Sequence, residues 1–214
     1  MFPFLFIILL FPLLLMLLFF NVATFSFSRL GMSQSGAFLF LTASIIGSLI
    51  NIPLSRRRVL VHNRQVNPLS MFFFYYPPAV QEQVICINVG GAGLPTLLSL
   101  YLLLGGRAPF WPTLFALIAV TIVAKMMSRP KPGVGIVMPA FIPPLIAAAA
   151  ALILAPSGCT ASVAYVAGTM GTLIGADLLN WKEIQNLGGQ MVSIGGAGIF
   201  DGVFLVGIIA AFLG

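Results

Sequence analysis

Apolar residues run almost without interruption along this chain, broken at intervals by short clusters of Gly, Pro, Ser and basic residues. A helix needs about 20 apolar residues to cross the hydrocarbon core of a bilayer. Seven stretches approach that length: 2–20, 37–54, 84–104, 110–127, 134–155, 159–180 and 191–213. The pattern predicts an all-α fold, a single polytopic transmembrane bundle over 1–214 with seven helices. Ser128-Arg129-Pro130-Lys131-Pro132-Gly133 separates the fourth stretch from the fifth. Pro139, Pro143 and Pro144 are expected to kink the fifth.

Composition strengthens this reading. Hydrophobic residues make up 60% of the chain and charged residues 7%, against about 25% charged in a soluble domain. No polar segment is long enough for a separate soluble domain, so the expected surroundings are a lipid bilayer. The net charge of +6 comes from ten Lys and Arg scattered over short connections, which is not the footprint of a nucleic-acid-binding face. The first stretch lacks a basic leader and a small-residue cleavage site and reads as a retained helix. Cys86 and Cys159 fall near opposite ends of different stretches and are expected to stay unpaired.

The basic residues also predict an orientation. Arg56, Arg57, Arg58, Arg64, Lys125, Arg129, Lys131 and Lys182 follow the second, fourth and sixth stretches, whereas only Arg29 and Arg107 follow the odd-numbered ones. The first set is expected in the cytoplasm of a plasma-membrane protein, with the N-terminus inside and the C-terminus outside. The longest connection, 55–83, combines the arginines with Phe72-Phe73-Phe74-Tyr75-Tyr76. That mixture suits a segment lying on anionic lipid. His62 has no acidic or cysteine partner nearby in sequence, and no metal or cofactor site is expected.

The chain contains an internal echo. Ile87-Asn88-Val89-Gly90-Gly91-Ala92-Gly93 resembles Val192-Ser193-Ile194-Gly195-Gly196-Ala197-Gly198. Ile46-Gly47-Ser48-Leu49-Ile50-Asn51 resembles Ile174-Gly175-Ala176-Asp177-Leu178-Leu179-Asn180, with one residue inserted. The offset of four stretches gives both copies one orientation, predicting repeat halves at 1–104 and 134–214 joined by a helix at 110–127. Sites in such proteins commonly lie where the copies meet.

Two acidic residues fall within apolar stretches, Asp177 and Asp201. A charge at bilayer depth costs about 2.5–3.5 kcal/mol on insertion scales and marks a functional candidate. On the repeat alignment Asp201 matches Thr96, and Asp177 falls beside Ser48 or Leu49, so the first copy has neither carboxylate. Two carboxyls close enough to share one proton can divide the work of hydrolysis: one activates water and the other polarises a carbonyl. Gly195, Gly196 and Gly198 would let an unwound substrate strand approach, and Asn180 is the nearest polar side chain on the sixth stretch.

Asp177-Leu178-Leu179, followed by Gly196-Ala197-Gly198-Ile199-Phe200-Asp201, resembles the paired aspartates of the GxGD intramembrane aspartyl proteases, the presenilin and signal-peptide-peptidase group. The likeness covers 170–214. It departs in the inserted Ile199-Phe200, in Ala176 where that group has tyrosine, and in Met138-Pro139-Ala140-Phe141, which precedes the aspartates rather than following them. The resemblance implies Asp177 and Asp201 as catalytic residues and transmembrane helices as substrates.

The whole chain is also similar to an uncharacterised family of bacterial and archaeal integral membrane proteins of unknown function. The stretches that carry this are Ile50-Asn51-Ile52-Pro53-Leu54, Asn88-Val89-Gly90-Gly91, Ile174 to Asn180 and Gly195 to Gly202. Three functions stay open at this point: an intramembrane aspartyl protease, a small proton- or cation-coupled transporter, and a non-catalytic scaffold. The transporter would line its path with Asn51, Asn88, Thr96, Asn180 and Ser193.

Overall fold

A computed structural model describes residues 2–61, 79–131, 135–186, 191–196, 207–209 and 211–212. His62, the aromatic run from Phe72 to Tyr76, Gly198 and Asp201 lie outside these residues.

The elements in order are α1 (Phe2–Arg29), α2 (Gln34–Gly47), β1 (Asn51–Val61), β2 (Ala79–Asn88), a π-helical turn (Val89–Gly93) running into α3 (Leu94–Leu104), and α4 (Phe110–Met127). They continue with β3 (Arg129–Lys131), β4 (Gly135–Val137), α5 (Ile142–Leu154) and α6 (Thr160–Thr172). A second π-helical turn (Leu173–Asp177) and a 3-10 turn (Leu178–Asn180) then lead into α7 (Trp181–Gln185), followed by β5 (Met191–Ile194).

The fold is mainly helical, but all-α is a correct description only of its larger part. β1 pairs antiparallel with β2, from Asn51 opposite Asn88 to Val61 opposite Ala79. β5 pairs parallel with the other side of β2, Val84 opposite Met191 and Ile87 opposite Ile194. With β4, which pairs with β3 at the start of the fifth stretch, four predicted helices therefore begin or end as strands. Pro53 has no N–H to continue a helix beyond α2. Val84-Ile85-Cys86-Ile87 and Met191-Val192-Ser193-Ile194 are short and largely β-branched, and they satisfy their backbones across the sheet.

Three helical runs among the described residues are long and apolar enough to cross a membrane: Leu10–Arg29, Phe110–Met127 and Thr160–Gln185. The remaining long apolar helices, Gln34–Gly47, Val89–Leu104 and Ile142–Leu154, are shorter than predicted. The fifth helix is not kinked by Pro143 and Pro144, because both sit in its first turn, where a missing N–H leaves no bond unmade.

The run Thr160–Gln185 is the most buried of the three. On one side, Tyr165 and Val166 pack with Phe27 of α1, Leu41 of α2, Leu98 and Leu102 of α3, and Ile208. On the other, Val163, Ala164 and Ala167 pack against Ala116 and Val120 of α4 and Ala147 and Ala151 of α5. A third cluster joins Ile85 of β2, Ala92, Leu173, Ile184 and Ile194 of β5, fixing the sheet to the end of this run.

Basic residues divide between two regions. Arg57 Nη1 donates to Gln185 Oε1 at 2.9 Å, and Lys125 reaches Asn180 and Glu183. Arg107 instead donates to the carbonyls of Leu30 and Gly31, and Arg29 to that of Phe212. Cys86 is buried and Cys159 partly exposed, both as free thiols.

Candidate functional site around Asp177

The run from α6 to α7 does not continue as a regular α-helix. At Leu173–Asp177 the backbone takes an extra residue per turn, so that Leu178 N–H reaches back to Leu173 O, and a 3-10 turn follows. Such single π turns often mark functional positions. Small residues at this point let α4 come close. A side chain at Gly175 would stand 2.5 Å from Thr121 O and 2.8 Å from Ala124 Cβ.

Asp177 ends the π turn, and its Oδ2 accepts a hydrogen bond of 3.0 Å from Gly195 N–H. Gly195 follows β5 directly with a φ of +76°, a conformation that L side chains rarely adopt. Its α-carbon lies on the first glycine motif: an added Cβ would meet Ala92 Cβ and lie 2.7 Å from Ala92 N. Gly196 is also left-handed, at +78°. Asp177, Gly195 and Ala92 thus form one close-packed joint between the two π turns and the sheet.

The equivalent point in the first motif is a joint as well. Gly90 is pressed on the end of α2, where an added Cβ would collide with Ser44 O and Ser48 N. Asn88 Nδ2 donates to Ser48 O at 2.7 Å and to Asn51 Oδ1 at 3.2 Å, while its Oδ1 accepts from Gly91 N–H at 2.7 Å. Ser193 Oγ donates to the same Asn51 Oδ1 at 2.7 Å. Asn51, Asn88 and Ser193, three of the residues assigned to a transporter path, therefore bond to one another and to backbone. Thr96 is partly exposed on α3, apart from these bonds.

Asn180 is buried and fully engaged. Its Nδ2 donates to Ser128 Oγ at 2.7 Å and Ala176 O at 2.8 Å, and its Oδ1 accepts from Lys125 Nζ. Lys125 Nζ also donates to Leu179 O at 2.9 Å. Of the predicted site residues, Asp177 and Gly195 are in direct contact, with Gly196 adjacent. Asn180 is bound to α4, and Gly198 and Asp201 lie outside the described residues. Among the described residues no group of three His, Cys, Asp or Glu could hold a metal ion.

Sequence reasoning missed Lys125 as the partner of Asn180, and it missed a row of hydroxyls on α6. Tyr165, Thr169 and Thr172 are all fully buried, and their i, i+4, i+7 spacing was the available signal. A groove of about 1050 Å³ between α1 and α2, lined by Met16, Phe20, Asn21, Phe38 and Thr42, contains none of the predicted site residues.

No curated protein and no solved structure matches this chain. A family model does match, over residues 45–213, which include both glycine motifs, Asp177 and Asp201. The chain accordingly belongs to the family described as "Protein of unknown function (DUF1614)".

Proposed function

We propose that this chain is an integral plasma-membrane protein with the chemistry of an intramembrane aspartyl protease, using Asp177 and Asp201 as a pair on transmembrane-helix substrates. The observation that carries the reading is the 3.0 Å hydrogen bond from Gly195 N–H to Asp177 Oδ2. It anchors the start of the segment bearing Asp201 directly against the first carboxylate. Asp201 is six residues beyond Gly195 in the sequence.

In this reading one carboxylate takes a proton from water as the water oxygen adds to the scissile carbonyl. The other, protonated, gives its proton to the carbonyl oxygen; on collapse the first returns its proton to the leaving nitrogen while the second takes one back from the diol, so that acid and amine are released and the pair is restored. The glycines beside Asp177 leave backbone without side chains for an unwound strand to approach. The basic region around Arg57 and Lys125 would face the cytoplasm, and the halves 1–104 and 134–214 would be related copies, with the carboxylates in the second.

The same hydrogen bond favours one rival, a scaffold in which Asp177 only ties the end of β5 to the π turn. Asp177→Asn separates the two. An asparagine Oδ1 still accepts from Gly195 N–H but cannot act as the base. In proteoliposomes with a quenched fluorogenic transmembrane peptide, the wild-type chain should cleave, and Asp177→Asn and Asp201→Asn should each be folded and inactive. Cleavage by either variant at the wild-type rate, or none by the wild type, refutes the protease reading.

A further inference from the structure

The π turn at Leu173–Asp177 changes which way Asp177 faces relative to α6. Five residues of regular α-helix would carry position 177 roughly 140° past Thr172 around the axis. A turn closed by an i→i+5 bond needs about one more residue per revolution, so position 177 comes back close to the line of Thr172. That line already holds Tyr165 and Thr169, with Ser162 one turn earlier. The hydroxyl row and the carboxylate thus share one face of a single helical run.

The three hydroxyls are unusual in their bonding. Tyr165, Thr169 and Thr172 are at most 1% exposed, and none of their oxygens has a hydrogen-bond partner among the described residues. The Tyr165 and Thr169 hydroxyls lie close enough to interact with one another, at a geometry too poor to satisfy either oxygen. Threonine in an apolar helix ordinarily returns its hydroxyl to the carbonyl four residues back, as Thr113 does to Pro109 here. Thr169 and Thr172 make no such bond. Gly207, which stands against Thr169 and Tyr165, has no side chain to offer an acceptor. Groups of this kind persist in a fold when water supplies the missing partner.

We infer that Tyr165, Thr169 and Thr172 form a water-threaded file carrying protons between the bundle centre and Asp177. From Tyr165 to Thr172 the file rises about 10 Å, a third of the roughly 30 Å hydrocarbon core. Its walls are α3 and the segment at Gly207, whose added Cβ would stand 2.6 Å from Thr169 Oγ1. Asp177 is the only carboxylate on the face of the file among the described residues. Lys125 and Glu183 pair with one another a turn beyond it, at 3.9 Å. The file uses Asp177 and does not use Asp201, so it stands whether or not the chain cleaves peptides.

The test is proton flux into liposomes that hold the full-length protein and an internal pH dye, driven by a potassium diffusion potential. The wild-type chain should acidify the lumen faster than empty liposomes do. Thr169→Val with Thr172→Val keeps the branched shape and removes two hydroxyls, and should slow flux about tenfold. Thr169→Ser with Thr172→Ser keeps the hydroxyls and should conduct like the wild type. Tyr165→Phe, which removes one oxygen and no packing volume, gives a second reading if the valine pair does not fold. Asn21→Ala, in the groove between α1 and α2 and apart from the file, should leave flux unchanged. Wild-type flux equal to that of empty liposomes, or undiminished flux in folded valine and phenylalanine variants, overturns the file.

Discussion

Replacing Gly195 with alanine tests the joint on which both functional readings depend. Two separate costs arise there. The residue has a φ of +76°, and an L side chain in left-handed backbone costs about 1–2 kcal/mol. The new methyl group would also meet Ala92 Cβ and lie 2.7 Å from Ala92 N. Backbone cannot rotate away as a side chain can, so this adds overpacking of about 1–3 kcal/mol. Gly158 is the control. Its φ is +83° with nothing within 4 Å of an added Cβ, so Gly158→Ala should show the first cost alone. The difference, about 1–3 kcal/mol, corresponds to a Tm about 2–12 °C lower for Gly195→Ala than for Gly158→Ala in a chain of this size. Tryptophan fluorescence of the detergent-solubilised protein can follow unfolding, because Trp181 packs on the cluster containing Ile194 and Ala92. Adding Ala92→Gly to Gly195→Ala removes the methyl–methyl clash but not the contact with Ala92 N, and should recover part of the loss. Equal Tm values for Gly195→Ala and Gly158→Ala would show that Gly195 does not rest on the first motif.

Three further outcomes follow from the same geometry. Asp177→Ala leaves the buried Gly195 N–H without its acceptor and should cost about 1–3 kcal/mol, while Asp177→Asn should keep most of that stability; equal losses by thermal unfolding would mean the 3.0 Å bond is not made. Asn180→Ala strips partners from Lys125, Ser128 and Ala176 together and should cost about 1–3 kcal/mol, whereas the exposed Asn21→Ala should be nearly neutral; a neutral Asn180→Ala contradicts the joint between α4 and the 3-10 turn. In intact cells a membrane-impermeant maleimide should label the partly exposed Cys159 and spare the buried Cys86; labelling of Cys159 only after the membrane is opened would reverse the orientation.

Some of this architecture is readable in the residue order because it depends only on local pattern. Phe110–Met127 lacks glycine and keeps its one proline, Pro112, in the first turn, and the helix falls where the apolar run does. The strands were hidden for a physical reason. Val84-Ile85-Cys86-Ile87 fills an apolar window as well for a helix as for a strand, and what decides is the partner. Its partners are β1, about thirty residues earlier, and β5, more than a hundred residues later. Parallel pairing also sets Ile87 opposite Ile194, two positions from the Val192 that the motif alignment matches to it. A shift of two preserves which side chains face the core, so the pattern carries no trace of it.

Asp177 was legible as a carboxylate in apolar surroundings, but its partner was not, because a backbone N–H has no letter in a sequence. The shape of its surroundings, however, was written there. In the proposed repeat, Ile174 to Asn180 aligns with Ile46 to Asn51 with one residue added, and a helix absorbs a single added residue by widening one turn from i→i+4 to i→i+5. The π turn at Leu173–Asp177 lies over that addition. Where α2 simply ends at Gly47, the proposed second copy would continue, and its extra residue would bring an acidic side chain round to the face that carries Tyr165, Thr169 and Thr172. Deleting Ala176 should therefore restore a regular helix and swing Asp177 away from both Gly195 and the hydroxyl row. The fold would lose the bond from Gly195 to Asp177 and the bond from Asn180 to Ala176 O, while the proposed cleavage and proton flux would fail together. Loss of cleavage with normal flux in that deletion variant would separate the carboxylate from the file and refute their common origin in the inserted residue.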